Sequence, residues 1–272
     1  MELHTLTHGT PDQPTVAFCH GLFGQGKNWT SAAKGLLAQE PSYGSLLIDM
    51  PNHGRSPWSD QIDQAAWADD VAATIAARAD TVDLVGHSMG AKIAMLVALR
   101  HPELIHSLVV VDMSPVNFPM GRAFNGYVDA MQSIDLDTLA GRADADAKLQ
   151  PMIPAPVVRP FLLQNLRRTG DDAHPWRWQM NLDMLGSQLE VLGTFPQVED
   201  QYHGPVLWIG GANSDYVQDA YRPEMTRLFP RVGQITVKDA GHWVHSEQPE
   251  VFQNILSGFL AKYRDEATGG RS

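Results

Sequence analysis

Short apolar runs closed by turn residues recur along the chain at Thr15–Cys19, Ser45–Asp49, Val82–Val85, Ser107–Val111, Pro205–Ile209 and Gln234–Val237. Each is predicted to be a buried strand. Longer stretches with helical spacing lie between them. Ala65–Ala79 puts Ala68, Val71, Ala72 and Ile75 on one face, and Met89–Arg100 does the same with Ile93, Ala94, Leu96, Val97 and Ala98. Val251–Tyr263 carries Phe252, Ile255, Leu256 and Phe259. Parallel strands need crossover connections, so this alternation predicts an α/β fold: a mainly parallel sheet with helices on both faces. Thr5–Thr7 is a candidate leading antiparallel strand. Ligands of such a sheet bind beyond the carboxyl ends of its strands, which is where chemistry is expected.

The alternation breaks between Asn117 and His203, where the pattern turns helical and Pro-rich without a convincing strand. This stretch holds Met120, Phe124, Met131, Met152, Phe161, Trp176, Trp178, Met180 and Met184, with Pro151, Pro154 and Pro156 as punctuation. It reads as a helical cap over 117–203, inserted into a core domain made of 1–116 and 204–272. Most of the Met and aromatic residues are expected to pack the cap, and some to line an acyl pocket.

Composition narrows the class. A chain of 272 residues with 43% apolar and 19% charged residues suits one sizeable globular domain. The formal charge of -11 disfavours nucleic acid or an anionic membrane as partner. No apolar run approaches the about 18 residues that span a bilayer. Met1–Thr5 lacks a basic and apolar leader, so a cytoplasmic location is the default expectation. Asp135, Asp137, Asp144 and Asp146 read as a solvated helix face, and Glu266–Ser272 as a frayed polar tail. Cys19 is the only cysteine, which rules out an intrachain disulfide and argues against a cysteine-based metal cluster.

Val82-Asp83-Leu84-Val85-Gly86-His87-Ser88-Met89-Gly90 runs from a predicted strand directly into a predicted helix, the context a nucleophile elbow requires. Gly86 and Gly90 lack Cβ atoms, so strand and helix can approach closely while Ser88 takes a strained conformation that pushes its hydroxyl out. A Gly-x-Ser-x-Gly pentapeptide alone is weak, because such residues cluster in ordinary turns; the setting makes Ser88 the candidate nucleophile. The helix starting at Met89 brings free N–H groups and a positive dipole end beside it. Phe18-Cys19-His20-Gly21-Leu22-Phe23-Gly24 follows the first strongly apolar strand and is the candidate oxyanion loop. Its expected donors are the N–H groups of Leu22 and Met89, with Phe23 as alternate to Leu22.

The chain has 11 histidines, and position selects among them. His242 follows the last predicted strand and precedes the last helix, on the same carboxyl edge as Ser88. It is the expected base, whereas His20, His53, His87 and His245 read as structural. The base needs a carboxylate on its other nitrogen to fix the tautomer and stabilise the imidazolium. Asp112, at the end of Ser107–Val111, and Asp215, beyond Trp208–Ser214, compete for that role. Counting three residues past the strand-ending Gly211 lands on Ser214, one short of Asp215. Asp112 needs no such shift and is favoured, with Ser214 as an auxiliary hydrogen-bonding group.

His20-Gly21-Leu22-Phe23-Gly24, Asp49-Met50-Pro51-Asn52-His53-Gly54-Arg55-Ser56, Gly86–Gly90, Val111-Asp112-Met113-Ser114-Pro115 and Gly241-His242-Trp243 together resemble the bacterial YbfF-type esterases of the α/β-hydrolase superfamily. The order is consistent over nearly the whole chain. The resemblance implies an α/β-hydrolase fold with a helical cap and a carboxylic ester hydrolase, with acyl thioesters as a further substrate class. It also implies an acid after the earlier strand, as in Asp112. Ala91 departs from a second glycine found after Gly90 in related sequences. The expected reaction is attack by Ser88 through an acyl-enzyme on a small-molecule ester, with no metal or organic cofactor required and the oligomeric state left open. A cofactor-free haloperoxidase or C–C hydrolase on the same triad, and a non-catalytic ligand-binding protein of this fold, are the competing readings.

Overall fold

In the computed structural model, which describes residues 1–9 and 15–269, the apolar runs pair into one seven-stranded sheet. The strands in chain order are β1 (Thr5–His8), β2 (Thr15–Cys19), β3 (Gly44–Ile48), β4 (Val82–His87) and β5 (Ile105–Val111), then β6 (Leu166–Arg168), β7 (Trp176–Trp178), β8 (Val206–Gly211) and β9 (Val232–Val237). The sheet order is β1-β3-β2-β4-β5-β8-β9, with β6 and β7 forming a separate antiparallel pair. Only β1 runs antiparallel in the large sheet, against β3, as Thr5–Thr7 led one to expect.

Because successive side chains of a strand point to opposite faces, each parallel strand feeds two cores. Ala17, Cys19, Leu46, Ile48, Leu84, Leu108 and Val110 join one apolar cluster, and Val16, Phe18, Leu47, Val85, Val109 and Val111 join the other. Helices α1 (Thr30–Gln39) and α11 (Pro249–Gly269) cover the second face through Ala33, Leu36, Phe252, Leu256 and Leu260. Helices α2 (Gln64–Ala76) and α3 (Met89–Arg100) cover the first. Helix α2 starts where Asp63 accepts the N–H groups of Ala65 and Ala66 at 2.9 and 3.1 Å. Helix α11 overruns the expected Val251–Tyr263 at both ends: Pro249 supplies a preset first turn, and helix continues through the first part of the stretch expected to fray. Gly270–Ser272 lie outside the described residues.

Between β5 and β8 the chain leaves the sheet for α4 (Met120–Gln132), α5 (Arg142–Leu149), α6 (Val158–Leu163), the β6–β7 pair, α7 (Leu182–Ser187) and α8 (Leu189–Gly193). The pair corrects the expectation of no strand here. Three residues per strand are too few for periodicity to register, yet Trp176 and Trp178 are buried around exposed Arg177. Asp135 and Asp137 also depart from the expected helix face. They precede α5, where the Asp135 carboxylate accepts from the Asp137 N–H and the Thr138 hydroxyl. After β8 come α9 (Arg222–Leu228) and α10 (Val244–Glu247). Both necks of the β5–β8 excursion are tied to α3 by Lys92, whose buried ammonium donates to the carbonyls of Val116 (3.0 Å), Gly193 and Thr194 (2.9 Å). Burial pushes that ammonium down to about 7, and its three N–H donors match the three acceptors.

Candidate active site

Ser88 closes β4 with φ 55° and ψ -121°, a backbone conformation L-residues rarely adopt. Its N–H extends the ladder to Val111 O (3.0 Å) and its carbonyl starts α3 by accepting from Ala91 (2.9 Å). The flanking glycines are required by contact: a Cβ on Gly86 would lie 2.5 Å from Gly90 O, and one on Gly90 2.4 Å from His20 O.

Ser88, itself 1% exposed, stands at the head of a hydrogen-bonded chain. Its Oγ lies 2.9 Å from His242 Nε2, and His242 Nδ1 lies 2.7 Å from Asp112 Oδ2. With a neutral imidazole, Nδ1–H donates to the carboxylate and Nε2 accepts the serine hydroxyl. Asp112 is fully buried, so its charge needs partners. It has them: Oδ1 accepts the Gly211 N–H at 2.9 Å, and Ser214 Oγ donates to Oδ2. The structure thus brings Asp112 to His242, along with Ser214. Asp215 is exposed, and its carbonyl accepts from the Gln218 amide. His242 is held twice more, by His87 Nε2 donating to its carbonyl (2.9 Å) and by Tyr216 stacked at 4.1 Å and 25°.

The loop after β2 supplies the opposite wall. Neither the Leu22 nor the Met89 N–H is taken by a backbone acceptor among the described residues. The Phe23 N–H, the alternate to Leu22, is occupied, donating to His53 Nε2 at 3.2 Å. His20 and His53 are both scaffold. His20 donates from Nδ1 to Gly21 O (2.8 Å) and accepts the Met50 N–H on Nε2 (3.0 Å). His53 donates from Nδ1 to Pro51 O (2.9 Å). Burial lowers both below the usual histidine range, His53 to about 3, so both stay neutral acceptors. The Asp49–Ser56 motif serves the same end, since Asp49 takes the Gly26 N–H (2.7 Å) and the Arg55 N–H (2.9 Å) on its two carboxylate oxygens.

Sequence reading missed one support of this loop. Asn165, fully buried after α6, donates to Phe23 O at 2.7 Å and accepts from Gln25 Nε2 at 2.7 Å. These partners lie some 140 positions apart in the chain, and no local pattern marks an asparagine of this kind.

Ser88 faces a narrow cleft of about 20 Å³ lined by His20, Gly21, Leu22, Gly24, Asn28, Trp29, His87, Phe124, Phe161, His242, Trp243 and His245. Of the Met and aromatic residues marked between 117 and 203, only Phe124 and Phe161 reach it. Met120, Met131 and Met180 are buried in the core, and Met152 is exposed. His245 stacks on Trp29 at 4.4 Å, and burial lowers it to about 3.

Residues 16–254 match the family model described as "Alpha/beta hydrolase family". The sn-1-specific diacylglycerol lipase ABHD11 of Mus musculus is 38% identical over 264 residues, covering 95% of this chain and 84% of that protein. Esterase YbfF of Escherichia coli is 29% identical over 248 residues, covering 90% and 92%. Among solved structures, one described as "Marine microorganism esterase" superposes with a TM-score of 0.88 at 30% identity, covering 95% of this chain and 99% of that one.

Proposed function

We propose that this chain, which belongs to the alpha/beta hydrolase family, hydrolyses carboxylic esters with Ser88 as nucleophile, His242 as base and Asp112 as the orienting acid. The observation that carries the reading is the unbroken hydrogen-bonded chain from Ser88 Oγ through His242 to buried Asp112, at 2.9 and 2.7 Å. In the reaction Ser88 Oγ attacks the ester carbonyl while its proton passes to His242 Nε2, and Asp112 stabilises the imidazolium that forms. Charge on the carbonyl oxygen is met by the Leu22 N–H on the loop after β2 and by the Met89 N–H at the start of α3. His242 then protonates the departing alcohol, leaving an acyl-enzyme. Water attacks the acyl-enzyme with His242 again as base, releasing the acid and restoring Ser88.

Leu22, Phe124, Phe161 and Trp243 give the cleft an apolar wall suited to an acyl chain. Residues 117–203 act as the cap that shapes this wall and so selects the substrate. The same chemistry serves acyl thioesters, and a chain-length series of p-nitrophenyl esters and thioesters ranks the two. Ser88→Ala is expected to lower p-nitrophenyl ester turnover by about 10³-fold or more and to abolish labelling by a fluorophosphonate probe. A folded Ser88→Ala protein with full esterase activity would overturn the assignment.

A further inference from the structure

The chain carries 20 Lys and Arg against 31 Asp and Glu, so a gathering in which cations outnumber acids runs against its overall balance. One exists beside the catalytic cleft. Lys27, Arg142 and Arg167 line an open surface groove of about 440 Å³ together with Asp146, Pro160, Leu163 and Gln164. Arg55 lies within electrostatic reach of both Lys27 and Arg167.

Two carboxylates stand near, and both are engaged elsewhere. Asp146 accepts from Arg159 Nε at 2.9 Å. Asp49, whose charge is felt by Lys27, holds the backbone N–H groups of Gly26 and Arg55. The two guanidiniums are fixed by carbonyls between α6 and the start of β6: Arg142 donates to Leu166 O at 2.8 Å, and Arg167 to Gln164 O and to Leu166 O at 3.1 Å. Arg167 also reaches Gln25 Oε1 at 3.4 Å. Carbonyls orient these groups but carry no countercharge. Lys27 has no salt bridge or hydrogen-bond partner from its side chain among the described residues. Consistent with mutual repulsion, Lys27 and Arg167 are both held below their ordinary ranges, by burial first and by their cationic neighbours second.

Lys27, Arg142 and Arg167 outnumber the one acid that lines the groove, Asp146, and an anion bound there would offset the excess positive charge, by an amount that the exposure of Lys27 and Arg142 reduces. The location gives that anion a role. Asn28, next in sequence to Lys27, lines the catalytic cleft and exchanges hydrogen bonds at 2.9 and 3.3 Å with the Gln164 amide, which lines the cationic groove. Helix α6 turns Phe161 to the cleft and Pro160 and Leu163 to the cations. The two sites are therefore back to back across one helix and one amide pair.

We propose that Lys27, Arg142 and Arg167 form a specificity site for a phosphate or carboxylate group carried by the ester substrate. This rests on the ester-hydrolase reading of the cleft. The test compares kcat/KM for a neutral p-nitrophenyl alkanoate with two matched esters, one ending in a carboxylate and one in a phosphate. The two anionic arms decide which of the two groups the site takes.

Lys27 has no hydrogen bond to lose, so Lys27→Glu probes charge without unpinning α6. It is expected to lower the anionic-to-neutral ratio about tenfold, the size of one charge-assisted contact discounted for exposure. Lys27→Arg should retain the ratio, and Lys34→Gln, a charge lost elsewhere, should leave it alone. Isothermal titration with inorganic pyrophosphate reads the site without catalysis, and binding should be lost in Lys27→Glu/Arg142→Gln. An active enzyme whose anionic-to-neutral ratio ignores Lys27→Glu overturns the proposal alone, as does a wild type that neither binds pyrophosphate nor prefers the carboxylate ester. A protein inert to every ester while binding pyrophosphate would overturn the ester reading, and the role in ester selection with it.

Discussion

Asp112 and Asp215 can be separated by one pair of nearly isosteric substitutions. In Asp112→Asn the side chain must either keep its oxygen on the Gly211 N–H, now accepted at 2.9 Å, or turn that oxygen toward His242 Nδ1. In the first orientation the amide NH2 faces Nδ1, which must then accept, and the remaining proton sits on Nε2. Such an imidazole cannot take the proton of Ser88 Oγ, 2.9 Å away. In the second, NH2 meets the Gly211 N–H inside a fully buried pocket, and the countercharge for the imidazolium is still gone. Either way the expected loss in kcat is about 10⁴-fold, or about 5 kcal/mol of barrier. Asp215 is exposed and no side-chain hydrogen bond ties it to His242, so Asp215→Asn should stay within about twofold of wild type. Initial rates with a p-nitrophenyl ester, with the thermal midpoint as a folding control, read both. The reasoning fails if Asp112→Asn stays within tenfold of wild type, or if Asp215→Asn is as damaging.

Two further outcomes follow from the supports around the site. Asn165→Ala leaves the Phe23 carbonyl and the Gln25 amide without their partner, at a cost of about 1–3 kcal/mol, and frees the loop that carries Leu22. A kcat reduced about tenfold with little change in KM is expected, and a lowered melting point with unchanged kcat would show that the loop holds its place without Asn165. His20, His53 and His87 are all buried and all held below the ordinary histidine range, chiefly by burial. The unfolded chain therefore takes protons below about pH 6.5 that the folded chain refuses. The stability is full above that pH and falls as the pH drops toward the folded values, by up to about 1.4 kcal/mol per histidine per pH unit. Calorimetry should give a melting temperature that declines steadily from pH 7 to 5, and a flat profile would sink the idea.

The central strands were legible because burial on both faces writes them as continuous apolar runs. Their ends were less so: β4 runs on through Gly86 and His87, and β5 begins early at Ile105 and His106, where polarity hides an extended backbone. The β6–β7 pair was not legible, since its two tryptophans bury by alternation over three residues each. In the site, Ser88 and His242 could be read from strand-to-helix and strand-to-loop settings that are local in sequence. Asp112 could be favoured but not fixed from residue counting, because the choice depends on which strand lies beside β4. The Asn165 contact with Phe23 and the Lys92 strap join residues with no sequence relation, and only packing reveals them.

The placement of the proposed acid, Asp112, follows from where this fold stores backbone strain. Among the described residues, the non-glycine positions with positive φ are Phe23, Asn52, Ser88, Asp112 and Asp239. Each lies just past the carboxyl end of a parallel strand: β2, β3, β4, β5 and β9 in turn. Such conformations cost about 1–3 kcal/mol each and persist only where surrounding structure enforces them. At Ser88 and Asp112 the enforcement is the same device on neighbouring strands. His87 pairs with Val111, the Ser88 N–H continues that ladder to Val111 O, and the Asp112 N–H continues the next one to Ile209 O at 2.7 Å. Both chains therefore break upward one residue beyond a shared register, which leaves Ser88 and Asp112 on adjacent strand ends. His242 arrives from the turn after β9 and bridges them. The end of β8, where an acid after the later strand would sit, is already used: Gly211 and Ser214 supply hydrogen bonds to the buried Asp112 carboxylate. An acid transplanted to position 214 would face Asp112 across that contact, and the two carboxylates would compete for one proton. On this geometry the β8 turn can support the proposed acid or replace it, and here Gly211 and Ser214 both bond to Asp112.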